Sequence, residues 1–385
     1  MSRCIMVVAA EASGDALGAE LMRALRARLD QVRFVGLGGL AMAAEGIRSP
    51  FDIAELSVFG MLEGLLAAPR AARRAIELAQ LAERERPDLV VLIDSWGFSY
   101  LVARQLRRRL PGLKLVKYVA PQAWATRPGR ARTLARTFDL LLSIVPFEAP
   151  MFEAAGARVV VVGHPGASRD FSGADPARLR RSLAIPADEP ILLVAPGSRP
   201  SEIDKVLPPF EDAVRRLKAG RPHLHLVVLA AASVAVAVKS RVAAWPFRAH
   251  VVETGQDRAD AMAAADLALA CSGTVTTELA AAGCPMVVAY RVGWITYQIA
   301  RRIIRTRFAT LFNIAAGAEI APELIQDRCN GPELAAALAA RLDDPELRRA
   351  QAQAQTAALA LLGRGGPAPA EHAAEAIATL VAEPR

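Results

Sequence analysis

Three clusters of residues at the ends of apolar runs are of types that could do chemistry. In the first, AADLALA (264–270) leads into Cys271, Ser272, Gly273 and Thr274. Thr276, Thr277 and Glu278 then open an alanine-rich stretch that Gly283, Cys284 and Pro285 stop before MVVAY. That order reads as strand, turn, helix, strand. The helix N-terminus carries unpaired backbone N–H groups and the positive end of the dipole, which suits a pyrophosphate. Glu278, about one turn in, can accept hydrogen bonds from a ribose diol. A lone Ser-Gly-Thr turn is common in α/β proteins, so the second loop adds the weight. In PGSRPSEI (196–203) Gly197 and Ser198 let backbone approach a phosphate that Arg199 meets with its charge. In the third cluster DLVVLID (88–94) ends in Asp94. Open parallel sheets bind ligands outside the carboxyl ends of their strands, so this carboxylate reads either as a general base or as the cap of the helix that follows.

The elements that must position these residues alternate along the whole chain. CIMVVAA (4–10), VRFVGLGG (32–39), DLVVLID, LKLVKYVAP (113–121), FDLLLSIVP (138–146) and RVVVVGHP (158–165) are strand-like runs separated by helical patterns. The small and turn residues of GASRDFSGADPA then read as a linker. The pattern restarts with ILLVA (191–195), LHLVVLAA (224–231), AHVVETG (249–255), ADLALACSG (265–273) and PMVVAYR (285–291). This predicts two α/β domains, residues 1–166 and 167–345, followed by C-terminal helices (346–385) that cross back to the first domain. LSVFGMLEGLLAAPRAARRA (56–75) sets Val58, Phe59, Met61, Leu62, Leu65 and Leu66 before Arg70, Arg73 and Arg74. Such a segment is either an interfacial or acyl-chain site or an ordinary core helix with a solvated basic end.

Composition narrows the partners. The chain of 385 residues is 53% hydrophobic, yet no run reaches the roughly 18 apolar residues of a membrane span. The first apolar run passes straight into Glu11 and Asp15, so it reads as a strand and the expected location is cytoplasmic. Four scattered cysteines lack a CxxC pair, and with five histidines neither a disulfide framework nor a metal site is expected. The net charge of +8 calls for an anionic partner, while aromatics at 5% argue against a base-stacking nucleic-acid surface. Phosphates or anionic lipids are favoured. No Asp-x-Asp pair is present to hold a divalent ion.

In order, EASGDALGAEL, GLGGLAMAAEGI, ELSVFGMLEGL, LIDSWGF, YVAPQAWATRPGRA, VPFEAPMF, GHP, PGSRPSEI, CSGTVTTELAAAGCPMVVAYR and LFNIAAGAEIAPELIQ resemble the motifs of the lipid-A-disaccharide synthases, between residues 5 and 326. The resemblance implies an inverting glycosyltransferase of GT-B type, with two Rossmann-like domains facing across a cleft. It implies transfer of 2,3-diacylglucosamine from its UDP derivative to 2,3-diacylglucosamine 1-phosphate through a β-1,6 bond, with release of UDP and no cofactor. Position by position it implies Glu11, Ser13 and Asp15 in the acceptor-side loop and Asp94 as the catalytic residue. Arg199, Ser272, Gly273, Thr274, Thr277 and Glu278, joined by Asn313 and Glu319, form the donor site it implies. Expected partners are the two lipid substrates, an anionic inner-membrane surface on which the chain is peripheral, with Arg107, Arg108 and Arg109 added to the basic set, and a second copy in a homodimer. The family often has glycine where Ala10 stands, proline at Leu40, a Pro-Asp pair at Trp96 and Gly97, tryptophan at Thr126 and arginine at Ala318. These departures keep two alternatives in view: a related GT-B enzyme on another UDP-sugar, such as a lipid glycosyltransferase or epimerase, and a non-catalytic membrane-bound paralogue.

Overall fold

Short Val, Leu and Ile runs alternating with amphipathic stretches force parallel strands with helices on both faces, because each strand is then buried on both sides. The computed structural model describes residues 3–56, 61–123, 129–253, 255–304 and 306–384, with backbone only at 61–67, 295, 299 and 300. The chain divides into two compact units, 1–165 with 365–385, and 166–364. Each is a Rossmann-like α/β unit around one six-stranded sheet.

In the first unit the order is β1 (Arg3–Ala9), α1 (Ala12–Arg28), β2 (Val32–Leu37), α2 (Leu40–Ala44), α3 (Met61–Glu85), β3 (Leu89–Ile93), α4 (Trp96–Arg109), β4 (Lys114–Tyr118), α5 (Gly129–Thr137), β5 (Leu140–Ser143), α6 (Ala149–Ala154) and β6 (Val159–Val161). The strands lie in the order β2-β1-β3-β4-β5-β6, all parallel. Successive side chains of β1 face opposite layers. Ile5, Val7 and Ala9 join the core with α1, while Met6, Val8 and Ala10 join the core that includes Leu78, Ala79, Val102 and Leu106 of α3 and α4. In the GLGG run Gly36 must be glycine: its φ is +138°, and a Cβ there would lie 1.9 Å from the Val7 carbonyl oxygen.

The second unit runs α7 (Pro176–Leu183), β7 (Ile191–Ala195), α8 (Pro200–Gly220), β8 (His225–Leu229), α9 (Ala235–Ala243), β9 (His250–Val252), α10 (Gln256–Ala264), β10 (Leu267–Cys271), α11 (Thr274–Ala281), β11 (Met286–Tyr290), α12 (Trp294–Ile303), α13 (Leu311–Ala316), β12 (Glu323–Ile325), α14 (Gly331–Leu342) and α15 (Pro345–Ala360). Its strand order is β12-β11-β10-β7-β8-β9, again all parallel. Two buried glutamines pin α15 here: Gln351 Nε2 donates to the Met286 carbonyl at 2.6 Å and Gln355 Nε2 to that of Cys284 at 2.9 Å. The helices after residue 345 therefore separate. Only α16 (Pro369–Ala382), beyond the glycines of the 364–370 break, belongs to the first unit, where Ala373, Ala374, Ile377 and Leu380 pack into the α1 core. Among the described residues no helix is long and apolar enough to cross a membrane.

Because Ile377 is fully buried against the first unit, Ile377→Ala should lower the stability of that unit by about 2–5 kcal/mol. Urea unfolding followed by hydrogen exchange at β1 and β3 amides checks this. Unchanged protection of those strands would mean that α16 is dispensable to the core.

Candidate active site

The carboxyl ends of β1, β3 and β4 bring Glu11, Asp94, Ser95 and Lys117 together in the first unit. Asp94 and Ser95 both adopt left-handed backbone conformations, with φ +47° and +41°, which costs about 1–2 kcal/mol for each non-glycine residue. The turn carries the chain abruptly from β3 into α4. The Asp94 N–H donates to the Tyr118 carbonyl at 2.9 Å. Ser95 precedes α4 without a side-chain capping bond, and its hydroxyl donates to Glu11 Oε1 at 3.0 Å. The Asp94 carboxylate is half-buried and accepts no hydrogen bond among the described residues. It is therefore not serving as the cap of α4 and stays available to a ligand.

Lys117, which the sequence reading did not single out, is 0% exposed. Its ammonium donates to the Leu92 carbonyl at 3.2 Å, to Ser99 Oγ at 3.1 Å and, more closely, to the Asp94 carbonyl. Burial pushes its pKa down to about 7, while the charges of Asp94 and Glu11 pull the other way. The signal was present in KLVKY, since a lysine in the middle of a strand buried on both faces needs partners. Of the other expected residues in this unit, Ser13 is exposed. Asp15 is buried and turned to a different loop: it accepts from the backbone N–H groups of Gly39 (2.7 Å), Ala41 (2.9 Å) and Met42 (3.0 Å). It caps α2, so its carboxylate is occupied within the protein.

In the second unit the two proposed phosphate loops differ. Gly197 needs its positive φ of +118°, and a Cβ there would meet Glu202 Oε2 at 2.4 Å. Buried Glu202, also unremarked from sequence, reaches back over the loop: the Ser198 and Arg199 N–H groups donate to its Oε2 at 2.8 and 3.2 Å, and Arg199 Nη1 donates to its Oε1 at 3.2 Å. The amides expected to face a phosphate through Gly197 and Ser198 are thus closed from within by a capping box. The loop after β10 is open instead. α11 has no side-chain cap, Gly273 and Thr274 are exposed, and a Cβ at Gly273 would meet nothing within 4 Å. Ser272 Oγ donates to the Ala309 carbonyl at 3.4 Å, tying this loop to the 307–310 segment. The Thr277 hydroxyl is buried without a hydrogen-bond partner. Glu278 is held by two arginines, Arg169 Nη1 to Oε1 at 2.9 Å and Arg258 Nη2 to Oε2 at 2.6 Å.

Asn313 and Glu319 hold loops. Buried Asn313 donates to the Ala321 carbonyl and to Glu323 Oε1, both at 2.8 Å, and accepts from the Ile320 and Ala321 amides at 2.9 and 3.1 Å. Glu319 is exposed and accepts from the Glu323 amide at 3.2 Å. His223 and His225 form a His-x-His spacing that the sequence reading did not use. Both rings turn to Glu189, at 2.8 Å for His223 and closer for His225. Among the described residues no group of three His, Cys, Asp or Glu could hold a metal ion. The four cysteines are buried, and burial raises their thiol pKa values, that of Cys329 to about 11, so none is poised as a nucleophile.

The basic residues expected at a membrane divide. Arg74, 17% exposed, is bound by Glu55 and Glu77 at 2.5 Å and lies over the Phe51 ring. Arg107 donates to the Thr137 and Leu113 carbonyls and to Asp139, and Arg109 to Glu83. Both Arg74 and Arg107 are structural, because each guanidinium fork is filled by neighbours on its own surface. Arg70, Arg73 and Arg108 remain exposed. Val58 and Phe59, the side chains of Met61, Leu62, Leu65 and Leu66, and Thr126 lie outside the described residues.

A family model described as lipid-A-disaccharide synthetase matches residues 5–377. A lipid-A-disaccharide synthase of Rhodospirillum centenum is 40% identical over 378 residues, covering 98% of this chain and 94% of its own. One of Ruegeria pomeroyi is 42% identical over 382 residues, covering 97% and 94%. Among solved structures, the chain is similar to the S. aureus MnaA-UDP co-structure, with TM-score 0.67, 16% identity and 98% and 95% of the two chains covered. It is also similar to UDP-GlcNAc 2-epimerase from Neisseria meningitidis bound to UDP-GlcNAc, with TM-score 0.64, 10% identity and 99% of each chain covered. At such identities the structural likeness is one of fold alone.

The three amides held by Asp15 set a test of its role as a cap. Asp15→Ala should destabilise the first unit by about 1–3 kcal/mol and speed hydrogen exchange at Gly39, Ala41 and Met42. Exchange at wild-type rates would show that Asp15 is free for another task.

Proposed function

The chain belongs to the lipid-A-disaccharide synthetase family, and from that premise we propose how its residues divide the work of glycosyl transfer. It is a hexosyltransferase of lipid A biosynthesis, joining the diacylglucosamine of a UDP donor to a diacylglucosamine 1-phosphate acceptor. The epimerase alternative has a likeness of fold alone behind it and is not favoured, and the uncapped, half-buried Asp94 carboxylate speaks against a non-catalytic paralogue. Asp94 carries the reading: a half-buried carboxylate at a strand end, held in an unfavourable backbone turn and left without a hydrogen-bond partner among the described residues. Such strain persists where the surroundings over-determine it and is concentrated at functional sites. Asp94 takes the proton of the acceptor 6-hydroxyl as that oxygen attacks the anomeric carbon. Glu11, joined to the same turn through Ser95, flanks the acceptor.

On the second unit the open N-terminus of α11 receives the diphosphate, with the Gly273 and Thr274 backbone in contact and Arg199 supplying positive charge. These donors stabilise the departing UDP in the place a metal ion would otherwise take. Glu278 receives the ribose hydroxyls. Its two arginines use two of the carboxylate's roughly four lone-pair sites and fix its orientation. Glu202 keeps the Arg199 loop closed so that the guanidinium, not the loop amides, meets the phosphate. Asp94→Asn should lower kcat by about 10²- to 10⁴-fold while UDP affinity, measured by calorimetry, stays unchanged. Glu278→Ala should weaken UDP binding by about 10- to 100-fold. Wild-type turnover in Asp94→Asn would remove it as the base.

We also propose that the chain attaches reversibly to anionic lipid through the apolar residues Val58 to Leu66, aided by Arg70 and Arg73. Each basic residue near such a surface contributes about 1 kcal/mol, screened by salt. Binding to anionic vesicles should fall steeply as salt rises and weaken in Phe59→Ser with Leu62→Ser. Arg74→Ala should leave it unaffected, since that guanidinium is held by Glu55 and Glu77. Equal binding to neutral and anionic vesicles would overturn this reading.

A further inference from the structure

Two consecutive left-handed residues without glycine do not hold themselves. At the end of β3 the Asp94 carbonyl receives two donors, Ser99 Oγ at 2.7 Å and the closer Lys117 ammonium, and Ser99 Oγ in turn accepts from the same ammonium at 3.1 Å. The third N–H of Lys117 reaches the Leu92 carbonyl, so all three ammonium donors are used within one turn of backbone. Lys117 stands on β4 directly opposite Leu92 in the β3 register. Its side chain therefore runs along the neighbouring strand to its end and closes a ring of Lys117, Asp94 and Ser99.

We propose that Lys117 is the positioning residue of the transfer reaction: its buried ammonium fixes the Asp94–Ser95 turn through the Leu92 and Asp94 carbonyls and the Ser99 hydroxyl, and so aims the Asp94 carboxylate. The proposal rests on Asp94 being the base. A buried cation is costly unless fully hydrogen-bonded. An apolar residue of the same length would fill the space at lower cost to stability, so what the lysine adds is orientation and charge. The carboxylates facing the ammonium are Asp94 from the end of β3 and Glu11 from the end of β1. From α4 it meets the neutral Ser99.

The test compares purified full-length Lys117→Met, Ser99→Ala and Asp94→Asn in turnover with both lipid substrates. Lys117→Met should lose about 10²-fold in kcat with the donor KM unchanged. In the Asp94→Asn background, Lys117→Met should reduce turnover no further, since both act through one carboxylate. Wild-type kcat in a folded Lys117→Met protein overturns the proposal. So does a further loss in the double variant. If Lys117→Met fails to fold, Ser99→Ala decides, with a fall in kcat at unchanged KM expected and no fall contradicting the proposal. Full activity of Asp94→Asn is a separate failure, that of the base assignment itself.

Discussion

At the edges of both sheets the structure depends on buried carboxylates that take up backbone amides. A parallel strand leaves the sheet with its next N–H groups unpaired, and a buried amide without an acceptor costs about 1–3 kcal/mol. Asp15 answers three such groups after β2, Glu202 two after β7, and Glu323 those of Ala309 and Thr310 before α13. At the opposite end of the strands the half-buried Asp88 and Asp266 and the exposed Asp139 accept from the amides of Cys4, Ile191 and Leu115. An anion finds open donors where no carboxylate of this kind reaches. The uncapped start of α11 is such a place, and its neighbour, the start of α8, is closed by Glu202. The choice between two loops of similar sequence is thus made by one glutamate.

The same logic governs the arginines. A net charge of +8 suggests a broadly basic surface, but much of it is drawn inward. Arg178 makes two hydrogen bonds, of 2.6 and 2.8 Å, to buried Asp260, tying the segment that begins the second unit to α10. The next-door pairs of Arg169 and Arg258 with Glu278 share that frame. Exposed ion pairs contribute little to stability, and a pair with one buried partner is costly to break because it strands a charge. These contacts therefore serve orientation, and Glu278 is fixed between two arginines.

The strand positions were legible because a two-face-buried strand must be a continuous apolar run, and DLVVLID or ILLVA can be little else. The loops were legible in location, since Gly197, Ser272 and Asp94 stand at strand ends. What each loop side chain does was not. Whether Asp94 caps α4 or faces outward depends on the φ values of two residues, and whether Asp15 meets a ligand or the Gly39 amide depends on a partner 24 positions away. Spacing rules describe neighbours within a few residues, and Lys117, Arg169 and Arg258 act across strands or from another loop; Glu202, three and four residues from the amides it holds, was within their reach. Arg74 and Arg107 misled in part for the same reason, because Glu55 and Asp139, which hold them, come from other elements.

Gly97 sharpens the picture of the acceptor side. The resemblance places a second acid here in many relatives, and a Cβ at Gly97 would meet nothing within 4 Å, so packing does not exclude one. Its neighbour Trp96, where relatives often have proline, stacks on Tyr100 at 5.5 Å and tilts against Phe138. That fixes the first turn of α4 by aromatic contact where proline would fix it by its ring. The turn is held from α4 by Trp96 and Ser99 and from β4 by Lys117, and Glu11 reaches the same turn through the Ser95 hydroxyl. Asp94 directly follows β3, and Glu11, the N-cap of α1, follows β1 by two residues; the two strands are hydrogen-bonded neighbours in register from Ile5–Leu89 to Ala9–Ile93, so the sheet fixes where both backbones leave it.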